Sequence, residues 1–192
     1  MKIRTLSIFE FDNFAFNHPL SSYHQTSNYG IYQSEQGLDY DLIGLVDDNN
    51  QVVAASLIVI KKMGLLYRYG YAPKGFLMDY YDEEIIKEFT EKLRKHYYKK
   101  NMAFIKVNPE IQIGKVDYEN KKVIYNKNKY LISTLQKYNF KKLNTKKLFD
   151  TKIPTFNSII VLKNYQLNKL SKNTRNKIHK SQNSGIYLEK GN

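Results

Sequence analysis

The chain has 192 residues, 42% of them hydrophobic, which is enough for one full domain or two small ones with a real core. It contains no cysteine, and this excludes disulfides, zinc–thiolate sites and thiol catalysis. The formal charge of +13 comes from the second half, because residues 97–192 hold 21 of the 31 Lys and Arg residues. A basic half is typical of a protein with an anionic partner, such as RNA, a phosphorylated substrate or a membrane surface, although a solvated lysine-rich face has the same signature.

The first third of the sequence predicts a strand, two helical segments and a hairpin. Residues 2–17 predict a short strand and then a helical turn, with Asp12 in the position of a helix cap. Residues 18–37 are polar and aromatic, and they predict a loop with a short helix. Two β-branched runs then flank an Asp-Asp-Asn-Asn turn at residues 47–50 and predict a hairpin over residues 42–62.

The strongest helix signal follows a further extended run over residues 65–81. Asp82 is placed to cap this helix, with acidic residues in its first turn and basic residues in its last turn. One apolar stripe recurs every four residues and predicts the buried face: Ile85, Phe89, Leu93 and Tyr97.

The second half predicts a core strand over residues 102–111, a charged and Asn-rich loop over residues 112–129, and a helix near residues 131–138. Another strand is predicted over residues 156–162, and a basic helix over residues 168–185 ends at its glycine. This order predicts an α+β fold with mixed α/β layers, in which helices flank a mixed central sheet. The pattern fits the GNAT-like acyltransferase class.

The sequence lacks the motifs of several enzyme classes: G-x-S-x-G, H-E-x-x-H, the P-loop and G-x-G-x-x-G. The four histidines are scattered, and none pairs with another His or an acid at metal spacing, so no metal site is predicted. His24, in a Tyr-rich loop, is a weak site candidate. The pyrophosphate loop of acetyl-CoA-dependent GNAT enzymes is not found either, which argues against an ordinary acetyl-CoA enzyme.

Three segments, in the right order, resemble the Fem family of aminoacyltransferases. Residues 21–60 are similar to the family's opening Gln-Ser/Thr loop and first hairpin. Residues 69–111 are similar to its run of Tyr, then Pro-Arg-Gly-Pro, an Asp, a helix and a strand ending in Lys-x-Asp-Pro. Residues 170–189 resemble its basic helix before a second acyltransferase-like domain.

The resemblance implies an enzyme of peptidoglycan bridge synthesis that moves an amino acid from aminoacyl-tRNA to the side-chain amine of a cell-wall precursor. Aminoacyl-tRNA is then the co-substrate, the precursor is UDP-linked or lipid-linked, and no other cofactor is expected. A cytoplasmic location is implied, with peripheral contact with the inner face of the membrane and pairing with a full-length relative as further expectations. We expect residues 1–165 to form a first GNAT-like domain. Residues 166–192 are expected to lead into a second one beyond the chain, so that the chain is a half that is inactive alone.

The resemblance also carries over candidate catalytic residues. Asn108 stands at the Asp of Lys-x-Asp-Pro, and Asp79 stands at the Asp that follows Pro-Arg-Gly-Pro. An asparagine cannot accept a full proton at neutral pH, so Asn108 is expected to position the amine rather than act as a general base. A cap of the turn before Pro109 is the alternative for Asn108, and a turn before the helix is the alternative for Asp79.

Two groups of binding residues are also implied. Gln33 stands where the family has a phosphate-binding Lys, and its amide can hydrogen-bond a phosphate without neutralising it. Lys74 stands for an Arg and lacks the planar guanidinium fork. The candidate substrate-binding residues are Gln33, Tyr71, Lys74, Gly75 and Lys106. The candidate tRNA or phosphate contacts are Lys172, Arg175 and Lys177, on a helix that a solvated face explains equally well.

Two other functions stay open. A non-catalytic module that binds the muropeptide precursor or tRNA is favoured by the uncharged residues at positions 33 and 108. An acyl-CoA-dependent N-acyltransferase is the other alternative, and the missing pyrophosphate loop disfavours it.

Overall fold

The computed structural model describes residues 1–117, 119–120, 122–143, 166–185, 187 and 189. The chain divides into two units, residues 1–143 and residues 144–192. The strand predicted over residues 156–162 lies outside the described residues. Within the described residues, no helix is both long enough and apolar enough to cross a bilayer.

A five-stranded mixed sheet forms the centre of the first unit. Its strands, in spatial order, are β1 (Lys2–Thr5), β2 (Asp39–Val46), β3 (Val52–Met63), β4 (Tyr67–Ala72) and β5 (Met102–Val107). The first four strands run antiparallel to their neighbours, whereas β4 and β5 are parallel and are joined through a helix. This arrangement confirms the predicted fold class, a mixed sheet flanked by helices.

Four helices and a small hairpin complete the first unit. They are α1 (Ile8–Asn17), α2 (Ser27–Glu35), α3 (Glu83–Tyr98), α4 (Leu131–Lys137), β6 (Gly114–Asp117) and β7 (Lys122–Tyr125), with 3₁₀ turns at Tyr23–Gln25 and Lys127–Tyr130. In the second unit, a 3₁₀ turn at Leu167–Lys169 precedes α5 (Lys172–Gln182), which confirms the predicted basic helix.

The two strongest local predictions are confirmed. The β2–β3 hairpin turns at residues 47–51, where the Asp47 carboxylate accepts hydrogen bonds from the backbone of Asn49 and Gln51. Asp82 caps α3 by accepting from two backbone N–H groups of its first turn, and the predicted apolar stripe of this helix is buried.

Two local predictions are wrong. Asp12 does not cap α1, because Ser7 does so in a capping box with Glu10. Asp12 lies inside the helix instead, and its carboxylate accepts hydrogen bonds from the backbone and hydroxyl of Ser27 at the start of α2. The segment predicted as a loop over residues 112–129 contains the β6–β7 hairpin. All four residues of β7 are exposed, so the strand has no buried face. Its sequence accordingly shows no alternation of apolar and polar residues that would predict a strand.

The core has two apolar layers, one on each face of the sheet. One layer packs the α3 stripe and Leu131 of α4 against β2 and β3. The other layer packs Phe11 and Ala15 of α1 against the opposite face of β3. On that second face α2 lies over β2 and β3, and the neighbouring surface of β4 and β5 stays open, as the 44% exposure of Phe104 shows.

Candidate functional site

The ladder between β3 and β4 breaks where β4 ends, and this break lies beside the candidate site. Val59 pairs with Tyr71, but the next bridge joins Ala55 to Leu77. Four steps along β3 therefore match six steps along the other segment. The additional residues form a loop over residues 73–76 between the two bridges, as in a bulge that redirects a strand end.

The Gln25 side chain fills the gap in this ladder. Its amide oxygen accepts from the Leu57 N–H at 2.9 Å, and its amide nitrogen donates to the carbonyl oxygens of Leu57 at 3.2 Å and Pro73 at 2.8 Å. Because proline has no N–H, Pro73 cannot donate to β3 as a regular strand residue does. The fully buried Gln25 amide thus takes the place of a backbone peptide group.

Asn108 connects the ends of the two parallel strands. Its amide oxygen accepts from the Tyr71 hydroxyl at 3.1 Å and from the Lys74 backbone N–H at 3.1 Å. The orientation of the amide is determined by the Lys74 N–H, because a backbone donor requires the oxygen and not the nitrogen. Asn108 follows β5 directly, so one side chain fixes both the tyrosine and the loop after β4.

Tyr71 and Tyr29 line the boundary between the covered and open parts of this face. Burial raises the pKa of the Tyr71 hydroxyl, with a smaller effect from Tyr29. Burial also raises the pKa of Tyr29, which packs edge-on against His24 with ring centroids 5.0 Å apart. Both hydroxyls are therefore protonated donors at neutral pH, and His24 lies one aromatic contact away from the candidate site.

The loop after β4 combines an ion pair with a close backbone approach. The Lys74 ammonium lies 2.5 Å from a carboxylate oxygen of Glu110, so part of its charge is already compensated. Gly75 is buried, and a Cβ atom there would lie 2.9 Å from the Gln25 amide nitrogen and 3.0 Å from the Ser56 hydroxyl. Because Gly75 has no side chain, the loop can pack directly against the Gln25 amide.

Lys106 lies on the open face, in register with Tyr71. Its ammonium is 5.9 Å from the ring centroids of both Tyr69 and Phe104, and these rings stack on each other 5.4 Å apart. This cation above a partly exposed aromatic pair can contact a ligand that is anionic and planar.

The remaining candidates of the first unit are Gln33 and Asp79. Gln33 is half-buried on α2, one turn after Tyr29 and therefore on the same side of the helix. Asp79 is exposed, and its carboxylate accepts from the backbone N–H of Tyr81 at 2.8 Å, which is the geometry of an Asx turn.

The second unit carries the other predicted cations on α5. Lys172 and Lys177 are exposed. The Arg175 guanidinium donates to the carbonyl oxygens of Asn168 at 2.8 Å and Leu170 at 2.5 Å, so it stabilises the preceding turn.

The structure therefore brings Tyr71, Lys74 and Asn108 into direct contact, with Lys106 beside them on the same face. Two neighbours had no predicted role, the buried Gln25 and the Lys74 partner Glu110. Gln25 belongs to the Gln-Ser/Thr loop of the resemblance, but both residues make their contacts across more than 30 residues of sequence, so local sequence did not predict these contacts. In the described part of the chain, no group of three or more His, Cys, Asp or Glu side chains is suited to hold a metal ion.

A sequence model of the FemAB family matches residues 6–192. Aminoacyltransferases FemA from two Staphylococcus aureus strains, bovine RF122 / ET3-1 and MW2, are each 23% identical over 174 residues, which is 90% of this chain. The match covers 41% of each relative, so the chain spans less than half the length of these curated relatives. A crystal structure of FemX superposes on 100% of this chain and 46% of its own, with a TM-score of 0.75 and 19% identity, which shows a shared fold.

Proposed function

The chain belongs to the FemAB family, and we propose that it serves peptidoglycan bridge synthesis, in which an amino acid passes from aminoacyl-tRNA to the side-chain amine of a cell-wall precursor. The observation that supports this most directly is the Asn108 contact with Tyr71 and Lys74, which builds a polar centre at the ends of β4 and β5. We place this activity in the cytoplasm, where aminoacyl-tRNA is available as co-substrate.

Aminolysis of an aminoacyl ester sets clear chemical demands. The ammonium first loses one proton to a base or to solvent and becomes a neutral amine. The amine nitrogen then forms the C–N bond as the C–O bond to the ribose breaks, and its second proton passes to the ribose oxygen. Charge develops on the ester carbonyl oxygen and needs donors aimed at it. The raised pKa keeps the Tyr71 hydroxyl protonated, but its one proton is donated to the Asn108 amide oxygen, so Tyr71 orients Asn108 and is neither a free donor nor a base.

The chemistry that Asn108 can offer to a ligand depends on which group of its amide has no partner. Both lone pairs of its amide oxygen are engaged, one by the Tyr71 hydroxyl and one by the Lys74 N–H. The amide nitrogen donates to no described residue. Asn108 therefore presents a donor, which suits a carbonyl or phosphate oxygen, whereas an aspartate here would present a free acceptor for an amine.

Binding of a UDP-linked muropeptide, measured by calorimetry, tests the proposed substrate class. We expect Asn108→Ala to weaken binding by about 1–2 kcal/mol, or roughly 5- to 30-fold, because a donor is lost and two neighbours are released. Asn17→Ala is the matched control, since Asn17 is exposed and its amide contacts only the backbone of its own helix. No binding by the wild type, or an equal loss in the control, would contradict the proposal.

A second candidate, a module that binds the precursor without catalysis, is favoured by the missing carboxylate at position 108 and by the Lys74–Glu110 ion pair. A transfer assay with charged tRNA and the UDP-linked muropeptide tests for the transferase. Turnover by the wild type supports the transferase and excludes the module. Turnover only in Asn108→Asp identifies the carboxylate as the missing group. Binding without turnover in both proteins fits the module and equally fits a transferase half that is inactive alone.

A further inference from the structure

The turn between β3 and β4 exposes apolar side chains that nothing in the described first unit covers. Leu65 is 103% exposed and Leu66 is 74% exposed, and Met63 and Tyr67 on either side of them are 39% and 56% exposed. Gly64, with φ of 66°, provides the sharp turn that projects the leucines outward. Contiguous exposed apolar groups of this kind mark interaction surfaces rather than ordinary solvated turns.

The charges around this tip are all of one sign. Residues 61–68 contain three cations and no acid. By strand parity Lys61 lies on the same face as Tyr69, whereas Lys62 and Arg68 pair with each other on the other face, so basic groups flank the leucines on both sides.

The neighbouring turn between α3 and β5 extends this surface. The backbone N–H of Arg68 donates to the carbonyl oxygen of Asn101 at 3.1 Å, so the two turns lie side by side. Tyr98 there is 83% exposed and is followed by two lysines. The nearest acids by strand register are Asp39, beside Ile60, and Asp41, which is compensated by Lys100 at 3.0 Å.

We propose that the β3–β4 tip, residues 61–68, docks this protein on an anionic lipid bilayer, with Leu65 and Leu66 inserted at the interface. A convex tip with fully exposed leucines can bury them by entering a soft apolar medium. Flanking Lys and Arg side chains are attracted to anionic headgroups, and flanking tyrosines suit the interfacial region. Apolar insertion and basic attraction are the two signals that together give stable peripheral binding.

The distance between the tip and the candidate site indicates that docking would bring a membrane-bound substrate to the site. β4 runs from Tyr67 at the tip to Tyr71 at the site, four residues or roughly 13 Å at about 3.3 Å per residue. An extended peptide of about four residues spans that distance, at about 3.5 Å each. A lipid-linked precursor whose headgroup lies at the interface therefore reaches the site. This use rests on the proposed function, whereas the binding to the bilayer does not.

The absence of tryptophan from the sequence permits a direct test with the 192-residue chain. Leu65→Trp places a single indole at the tip, and Asn49→Trp places one in the exposed, acidic turn at the opposite end of β3 as the matched control. With vesicles of phosphatidylcholine and phosphatidylglycerol, we expect a blue-shifted emission and quenching by brominated acyl chains for Leu65→Trp only. Equal shifts in both variants, or no shift in either, would overturn the proposal.

Flotation of the same vesicles tests the native side chains. The double variant Leu65→Ser/Leu66→Ser should partition at least about tenfold more weakly than the wild type, because two inserted side chains are lost. Lys61→Gln/Lys62→Gln should weaken partition by about tenfold and reduce its salt dependence. Lys172→Gln/Lys177→Gln, on α5, is the control for charge alone. If this control abolishes binding while the leucine variant binds normally, the tip is not the docking surface.

No precursor or tRNA enters these measurements, so their failure is distinct from a failure of the proposed transferase function. Binding to vesicles that is lost in the leucine variant supports the tip, whatever the transfer assay shows. Binding to tRNA or to a protein by the same tip, with none to vesicles, contradicts it.

Discussion

Replacing Gln25 with methionine should lower the free energy of unfolding of the first unit far more than an ordinary single substitution does. Methionine has a similar length and no hydrogen-bonding amide, so the change removes three hydrogen bonds without opening a large cavity. The Leu57 carbonyl keeps a partner, because the Ser56 hydroxyl also donates to it at 3.1 Å. The Leu57 N–H and the Pro73 carbonyl lose the partner that Gln25 provides.

The size of the effect follows from these two orphaned backbone groups. A buried group left without a partner costs about 1–3 kcal/mol, so the free energy of unfolding should fall by about 2–6 kcal/mol. This is a large share of the ~5–15 kcal/mol that stabilises an ordinary domain. Hydrophobic replacement is not neutral here, because the partners of the amide are backbone groups that stay in place.

Urea unfolding followed by circular dichroism measures this change through the midpoint and slope of the transition. Gln33→Met is the matched control: the same substitution at a half-buried position of α2 whose side chain makes no hydrogen bond to a described residue. We expect the control to stay within about 0.5 kcal/mol of the wild type. A loss below about 1 kcal/mol for Gln25→Met, or losses of equal size in both variants, would refute the role assigned to the amide.

Two further predictions concern the covered face of the sheet. Hydrogen bonds from Arg4 first, and then from Ser7, lower the pKa of Glu10 from its ordinary 4.5 to about 2, so stability is present above pH 4.5 and is lost as the pH falls through about 2. Acid titration of unfolding should therefore show a steeper loss between these values for the wild type than for Glu10→Gln, and parallel curves would disprove the linkage. Gly30→Ala should cost about 1–3 kcal/mol, because its Cβ would lie 2.5 Å from the Tyr40 ring and force α2 away from β2. The exposed Asn28→Ala, on the same helix, should leave the urea midpoint nearly unchanged.

The sequence predicted those elements whose causes are local. The α3 helix has its charged ends and its buried stripe within 16 residues and its cap directly before them, and each of these signals has a known spacing. The β2–β3 hairpin likewise has its turn residues between two β-branched runs. The predicted role of Asp12 is wrong because a carboxylate near a helix start suggests a cap when only local sequence is considered. Its actual partner, Ser27, is 15 residues away.

The candidate site was only partly predictable for the same reason. Resemblance to a family identified Asn108, Tyr71 and Lys74, and the geometry that joins them depends on two strands becoming parallel neighbours. The partners of Gln25 lie 32 and 48 residues away, and Glu110 lies 36 residues from Lys74. Such contacts follow from the closed fold and not from any spacing in the chain.

The register of β4 connects the docking tip and the candidate site, and the packed face of the sheet determines that register. Tyr67, Tyr69 and Tyr71 alternate along the strand and so share the open face. On the opposite face Gly70 lies so close to the core that a Cβ atom would be 2.8 Å from the Ile58 side chain. A slip of one residue in the strand register would place a tyrosine in that space and turn the small residues outward, and this clash with the packed core would destabilise the sheet. The tyrosine row therefore lies along the open face from the tip to the site because the packed positions of the other face, Gly70 and Ala72, admit only small residues.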